Sequence, residues 1–345
     1  MKHRGSFSWR IGFEALAWIY WEIDSMITKD DIKGLFSFIP TPAKPGSERW
    51  DATDTVDLDE LSRLTEELIQ SGVDGFATMG TTAESATMTE KEWEQACACV
   101  VETVRGRVPV FVGTTTLGTY DTVKRTRFVK DLGATGAMIG LPMWQPATLG
   151  GAVQLFADMS EALPDYPLMT YWNEGIFRFP FPPPFWQQIV ERAPTVIAAK
   201  LFGFFMIDEL LQMTGNKIRF IPHCQMAHKH RLLNPEENIA FWSTEAAMGP
   251  EPVLALRDAL DAGDMDKAKA ITRDIDYIME TFIPKEGHGE FAKYNIQLEK
   301  IRMNEAGYCN AGPIRPPYHV VPEHIAEGGR ECGRRWKALR PKYAK

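Results

Sequence analysis

Thr195-Val196-Ile197-Ala198-Ala199-Lys200 is the stretch that decides how this chain is read. Its small or β-branched apolar residues predict a strand buried on both faces. A lysine closing such a strand loses hydration, which costs stability and lowers the pKa of its amine. A neutral amine can attack a carbonyl. A strand-end lysine can also snorkel to the surface, so its company decides the reading. Gly80-Thr81-Thr82-Ala83-Glu84 follows another predicted strand, and Tyr171 and Asn173 close a third. Reactive groups at the C-terminal ends of several strands are what a β/α barrel gathers around one pocket.

Outward from this stretch, the chain alternates short apolar runs with longer helical patterns from about Asp31 onward. Runs at 34–40, 75–79, 108–112, 137–141, 168–171, 196–200, 218–222 and 240–243 predict strands. Helices are predicted at 57–71, 90–105, 120–132, 150–163 and 184–192. Leu58, Leu61, Leu64, Leu68 and Ile69 share one face of the first, Thr89 can cap the second, and Pro184 suits a first turn. This alternation predicts a (β/α)8 TIM barrel. A doubly wound open sheet is the alternative, weakened because no G-x-G-x-x-G follows the first strand. Helical patterns at 252–262, 265–282 and 290–306 then recur without strands, with a stop and cap at Asp261-Ala262-Gly263-Asp264. The expected division is an N-terminal extension at 1–25, the barrel at 26–249 and a C-terminal helical subdomain at 250–345. The Pro/Gly-rich segment 312–322 is expected to cross a surface in extended form.

The 345 residues are 44% hydrophobic and 24% charged, ordinary for a globular protein. Against 46 acidic residues stand 38 basic ones, a net charge of −8 that argues against nucleic-acid partners and anionic membrane surfaces. Cys97, Cys99, Cys224, Cys309 and Cys332 are scattered and odd in number, which reads as reduced thiols in a cytoplasmic protein. No run approaches the roughly 20 apolar residues of a membrane span. Trp9, Trp18 and Trp21 mark the extension, but Arg10, Glu14 and Glu22 interrupt it, so it lacks the clean apolar core of a signal peptide. The extension is expected to contribute little, with Met26 opening the working chain.

Gly80-Thr81-Thr82-x-Glu84, Tyr171-x-Asn173 and Ala199-Lys200, in this order at strand ends, resemble the dihydrodipicolinate synthase and N-acetylneuraminate lyase superfamily of class I aldolases. Within it the chain most resembles the trans-o-hydroxybenzylidenepyruvate hydratase-aldolases of aromatic hydrocarbon degradation. The matching stretches are Gly140-Leu-Pro-Met-Trp144, Phe179-Pro-Phe-Pro182 with Phe185-Trp186, Phe241-Trp242-Ser243, Lys293-Tyr294-Asn295-Ile296 with Leu298-Glu299-Lys300, and Ala311-Gly-Pro313 through Arg315-Pro316-Pro317-Tyr318. The barrel motifs are common to the superfamily, and the C-terminal ones point to the narrower group. The resemblance runs from about Ile27 to the end of the chain.

The resemblance implies that Lys200 forms a Schiff base with an arylidene-pyruvate and that Tyr171 shuttles protons. It implies that Thr81 and Thr82 bind the pyruvate carboxylate, although Gly80 to Glu84 is equally compatible with a turn or helix cap. Asn173 and Asn295 are implied as partners of the water or adduct hydroxyl, and Trp144 and Trp242 as walls for the aryl ring. No cofactor or metal is expected, and the superfamily implies a homotetramer. Dihydrodipicolinate synthases usually carry an arginine soon after Tyr-x-Asn for a second carboxylate. Here Glu174-Gly-Ile-Phe177 intervenes before Arg178, and Trp144 stands where those enzymes place a relay tyrosine. Both departures favour an apolar aldehyde. Trp172 and Thr82 also depart from the hydratase-aldolase pattern, so the aryl group is expected to differ from salicylaldehyde's ring. The alternatives are a synthase- or lyase-like pyruvate aldolase and a pseudo-enzyme retained as a binding protein. Intact Lys200 and Tyr171 speak against the latter. His223, His228 and His230 are expected in a solvated polar loop rather than a metal site, and the carboxylates between Glu251 and Asp266 on a solvated helix face.

Overall fold

Strands form in every predicted run: β1 (Gly34–Phe38), β2 (Gly75–Thr78), β3 (Val110–Gly113), β4 (Gly136–Ile139), β5 (Leu168–Tyr171), β6 (Val196–Lys200), β7 (Arg219–Ile221) and β8 (Ala240–Ser243). They come from a computed structural model that describes residues 26–202 and 207–345; the expectation for 1–25 lies outside the described residues. Each strand pairs in parallel with the next, and β1 pairs with β8. A parallel bridge between His223 and Trp242, with the Trp242 N–H donating to the Pro222 carbonyl at 2.9 Å, draws β7 to β8 and closes the ring. The fold is a TIM barrel. Its strands are buried throughout because one face fills the barrel and the other lies under helices.

The barrel helices are α1 (Leu58–Ser71), α2 (Glu90–Val104), α3 (Thr119–Asp131), α4 (Leu149–Ala162), α5 (Glu174–Phe177), α6 (Pro183–Arg192), α7 (Ile207–Met213) and α8 (Cys224–Leu233). Local chemistry sets their ends. Asp57 caps α1 by accepting the Glu60 N–H, and Gly72 stops it in the left-handed region. Thr89 and Glu92 form a reciprocal capping box on α2. Pro182 and Pro183 open α6. The aromatic motif of 179–186 packs as one cluster: Trp172 lies 5.3 Å from Trp186 and 5.6 Å from Phe181 between ring centroids. That cluster buttresses the residue directly after Tyr171.

Two expectations are corrected here. The His223–Arg231 region is not a solvated loop. It is the start of α8, with His228 7% and His230 0% exposed. One face of α8 packs against α10, so its polar residues are drawn inward. Burial pushes the His230 imidazole down to about 4, which keeps it neutral at pH 7. Segment 312–322 has no regular structure, but it does not simply cross a surface: Arg315 is 2% exposed and anchors it inside.

The C-terminal helices are α9 (Glu251–Asp261), α10 (Met265–Met279), α11 (His288–Ala306) and α12 (Glu323–Tyr343). The last was not predicted. It packs along α11, and a Cβ at Gly333 would lie 2.5 Å from the Arg302 carbonyl, so glycine is required at this crossing. Among the described residues no helix is long and apolar enough to cross a membrane.

Candidate active site

Lys200 and Tyr171 end neighbouring strands and stand directly opposite each other in the ladder, so both side chains leave the sheet on the same face. A bulge makes this possible. Leu168 pairs with Val196 but Met169 pairs with Ala198, so Ile197 is one extra residue on β6. Without it Tyr171 would face Ala199, and Lys200 would turn to the other face.

The Lys200 Nζ sits in an aromatic cage. It lies 3.8 Å from the Trp242 ring centroid, 4.8 Å from that of Tyr171 and 5.9 Å from that of Phe38. No hydrogen-bond acceptor reaches it among the described residues. Lys300, by contrast, is fully ion-paired to Glu84 at 2.7 Å. Burial pushes the Lys200 ammonium down to about 7, with the negative charge of Glu299 opposing the shift. An amine near 7 is roughly half neutral at neutral pH, whereas an ordinary lysine is neutral about once in several thousand. For Lys200 as the Schiff-base amine of the sequence reading, protonation would remove the nucleophile. Schiff-base formation with pyruvate is therefore expected to speed up as pH rises through about 7 and to level off above it. Stopped-flow or borohydride-quench rates from pH 5.5 to 9 check this; a rise continuing toward pH 10 would show an unshifted amine.

The Tyr171 hydroxyl and Thr81 Oγ1 lie 2.8 Å apart. Burial pushes the Tyr171 phenol up, while hydrogen bonds from Thr81 and Asn173 pull it partly back. The ring stands edge-on to Phe177, 5.3 Å between centroids. Gly113 fits here for steric reasons: a Cβ would lie 2.1 Å from the Met79 carbonyl, just before the Gly80–Thr82 turn. Tyr171, Gly80 and Thr81 line a cavity of about 650 Å³. Met79, Met88, Met143, Ile176, Phe177 and Ile296 give it apolar walls, and Asn295 adds an amide. Lys200 is not itself on the lining; its Nζ lies over the ring of Tyr171, which is.

The other candidate residues are spread around this core. Thr82 is half-buried and does not line the cavity. Asn173 also caps α5 by accepting the Ile176 N–H at 3.2 Å. Trp242 lies beneath Lys200 rather than along the cavity wall, its Nε1 donating to the Leu201 carbonyl at 2.7 Å. Trp144 is 83% exposed and outside the cavity. Arg178 is exposed and donates to the Met143 carbonyl at the rim. Phe38 and Glu299 were not anticipated as neighbours of the lysine. Glu299 carried only a motif signal, within Leu298-Glu299-Lys300.

Behind Trp242 lies a buried charge network. His223 Nε2 is 3.2 Å from Glu245, and Arg302 pairs with both Glu245 (3.1 Å) and Glu299 (2.9 Å). His223, Cys224 and Glu245 place ligand-type atoms within 4.8 Å of one another. Glu245 is already engaged by Ser243, by His223 and by the Arg302 cation, a setting that repels a divalent ion.

Residues 33–200 match the Dihydrodipicolinate synthetase family. The trans-O-hydroxybenzylidenepyruvate hydratase-aldolase of Pseudomonas putida is 44% identical over 323 residues, 92% of this chain and 97% of its own. The trans-2'-carboxybenzalpyruvate hydratase-aldolase of Nocardioides sp. (strain KP7) is 38% identical over 321 residues, 92% of this chain and 96% of its own. A solved structure described as PhdJ bound to substrate intermediate superposes with a TM-score of 0.90 at 38% identity, covering 93% of this chain and 100% of that one.

Proposed function

The chain belongs to the hydratase-aldolase branch of the dihydrodipicolinate synthetase family, and from that membership we infer that it converts an arylidene-pyruvate and water to an aromatic aldehyde and pyruvate. The observation that carries the residue roles is Lys200 itself: a buried amine without an acceptor among the described residues, in register with Tyr171.

The neutral Nζ of Lys200 attacks the C2 carbonyl, and water leaves as the iminium forms. The iminium draws electrons through the conjugated double bond, so water adds at the carbon bearing the aryl group and leaves an enamine, which takes a proton at C3 and becomes the iminium again. Removal of the proton from the new hydroxyl breaks the adjacent carbon–carbon bond. The aldehyde departs, and the bonding pair passes into an enamine on the lysine. Protonation and hydrolysis release pyruvate and the free amine. Tyr171, hydrogen-bonded to Thr81, is the group placed to carry these protons. The hydroxyl of Thr81 and the N–H groups of the Gly80–Thr82 turn receive the carboxylate. Asn295 reaches the adduct hydroxyl from the cavity wall. The iminium performs the polarisation that a metal supplies in other aldolases, so no cofactor is required.

Exposed Leu117 and Trp144 on the loops after β3 and β4, with exposed Tyr120 in the first turn of α3, favour a subunit contact near the cavity mouth, consistent with a homotetramer. The free cysteines suit a reducing cytoplasm.

A panel of aldehydes condensed with pyruvate tests the substrate class, read by ultraviolet absorbance of the conjugated product. Met79, Met88, Met143, Ile176, Phe177 and Ile296 offer apolar wall, and three cations at or beside it are engaged: Arg125 with Glu90, Lys293 with Glu290 and Arg178 with the Met143 carbonyl; Lys124 is the lining cation that forms no ion pair among the described residues. A stacked ring gains about 1 kcal/mol, whereas a carboxylate desolvated without a partner costs several. Benzaldehyde- or naphthaldehyde-type partners are therefore expected to exceed aspartate semialdehyde by at least about 100-fold in kcat/KM. Efficient reaction with the semialdehyde and none with aromatic aldehydes would establish the synthase alternative.

A further inference from the structure

We propose that Lys300 and Arg315, from the C-terminal part of the chain, are positioning residues for the turn that recognises the substrate carboxylate. This rests on the reading of Gly80–Thr82 as that turn.

The turn is bracketed by two non-glycine residues in the left-handed region, Met79 at φ 56° and Glu84 at φ 54°. Such conformations persist only where the surroundings hold them. Glu84 supplies the hold. Its carboxylate is fully buried, with Oε2 taking Lys300 Nζ at 2.7 Å and the Arg315 guanidinium at 2.6 Å. Its Oε1 accepts the Arg315 backbone N–H at 2.9 Å. Lys300 also donates to the Pro313 carbonyl at 2.7 Å. Arg315 continues to the Thr41 and Pro42 carbonyls and to Thr55 Oγ1, at 3.1, 3.0 and 2.9 Å. Two cations and one carboxylate thus tie the turn to α11, to segment 312–318 and to the loop after β1.

The tie reaches the reacting end through few bonds. Glu84 donates its N–H to the Thr81 carbonyl at 2.9 Å, Ser85 donates to the Gly80 carbonyl at 3.3 Å, and the Thr81 hydroxyl meets Tyr171 at 2.8 Å. Glu84, Gly80 and Thr81 all border the cavity, and Tyr318 from the same segment lines it too. Within this cluster two cations stand against the one carboxylate of Glu84. Arg315 reaches a second carboxylate, that of Glu92, through the Thr55 hydroxyl. Position and charge therefore act together on an anionic ligand, and the charge part is absent for a neutral one.

Borohydride trapping of pyruvate and of its neutral methyl ester, with thermal midpoints recorded alongside, tests this. In Lys300→Met the pyruvate concentration for half-maximal trapping is expected to rise about tenfold, the scale of one charge-assisted hydrogen bond. The ester value should stay within about twofold on the same scale, and Lys300→Arg should restore pyruvate. Arg315→Lys, which keeps the charge but loses the fork of donors, should shift pyruvate in the same direction and answers the question if Lys300→Met does not fold. Equal loss for acid and ester, or no change for either, overturns the proposal. Wild-type protein that traps neither compound would instead remove the Schiff-base reading.

Discussion

Replacing Lys200 with alanine is expected to lower kcat by on the order of 10⁵ or more, the scale on which loss of a covalent nucleophile acts. Among the described residues Lys300 is the other buried lysine with a lowered pKa, near 8, yet its ammonium is held by Glu84 and the Pro313 carbonyl. It cannot reach the space beside Tyr171 without breaking that pair. The small side chain at 200 also empties the aromatic cage of Phe38, Tyr171 and Trp242, so folding should survive, with circular dichroism unchanged. Steady-state turnover of an arylidene-pyruvate measures the loss. Activity within tenfold of wild type would mean that another amine does the chemistry.

Tyr171→Phe is expected to cost about 10²- to 10⁴-fold in kcat, the contribution of a positioned acid–base group. The substitution keeps the ring against Phe177 and beneath the lysine and deletes only the hydroxyl bonded to Thr81. Trapping of pyruvate should persist at a reduced rate, while carbon–carbon cleavage falls further, because cleavage needs a proton removed from the adduct hydroxyl. Loss confined to KM would reassign the tyrosine to binding.

The strands were legible in the sequence because a strand buried on both faces is apolar along nearly its whole length, with a polar residue only at its end in VIAAK (196–200) and AFWS (240–243). Helix α12 was not. Gly328, Gly329 and Gly333 weaken its intrinsic helical signal, yet Gly329 and Gly333 let it approach α11 and Gly328 lets it pass the Thr281 carbonyl. The buried histidines of α8 misled for a related reason: polar residues became interior because β8, α9 and α10 pack around the helix.

In the site, Lys200, Tyr171 and Thr81 could be picked out because each ends or follows a strand. Their alignment could not, since it depends on the Ile197 bulge, which leaves no mark in an apolar run. Glu84 read as a turn or cap residue because its partners lie 216 and 231 residues away. The tryptophans show the limit of residue type as a guide. Trp242 lies under the amine and Trp144 stands in solvent.

Incubation with pyruvate and sodium borohydride, followed by peptide mass mapping, tests the central claim most directly. The account predicts irreversible inactivation and a single reduced pyruvyl adduct on the peptide that contains Lys200. Labelling at another residue, or full activity retained with no adduct, would contradict it.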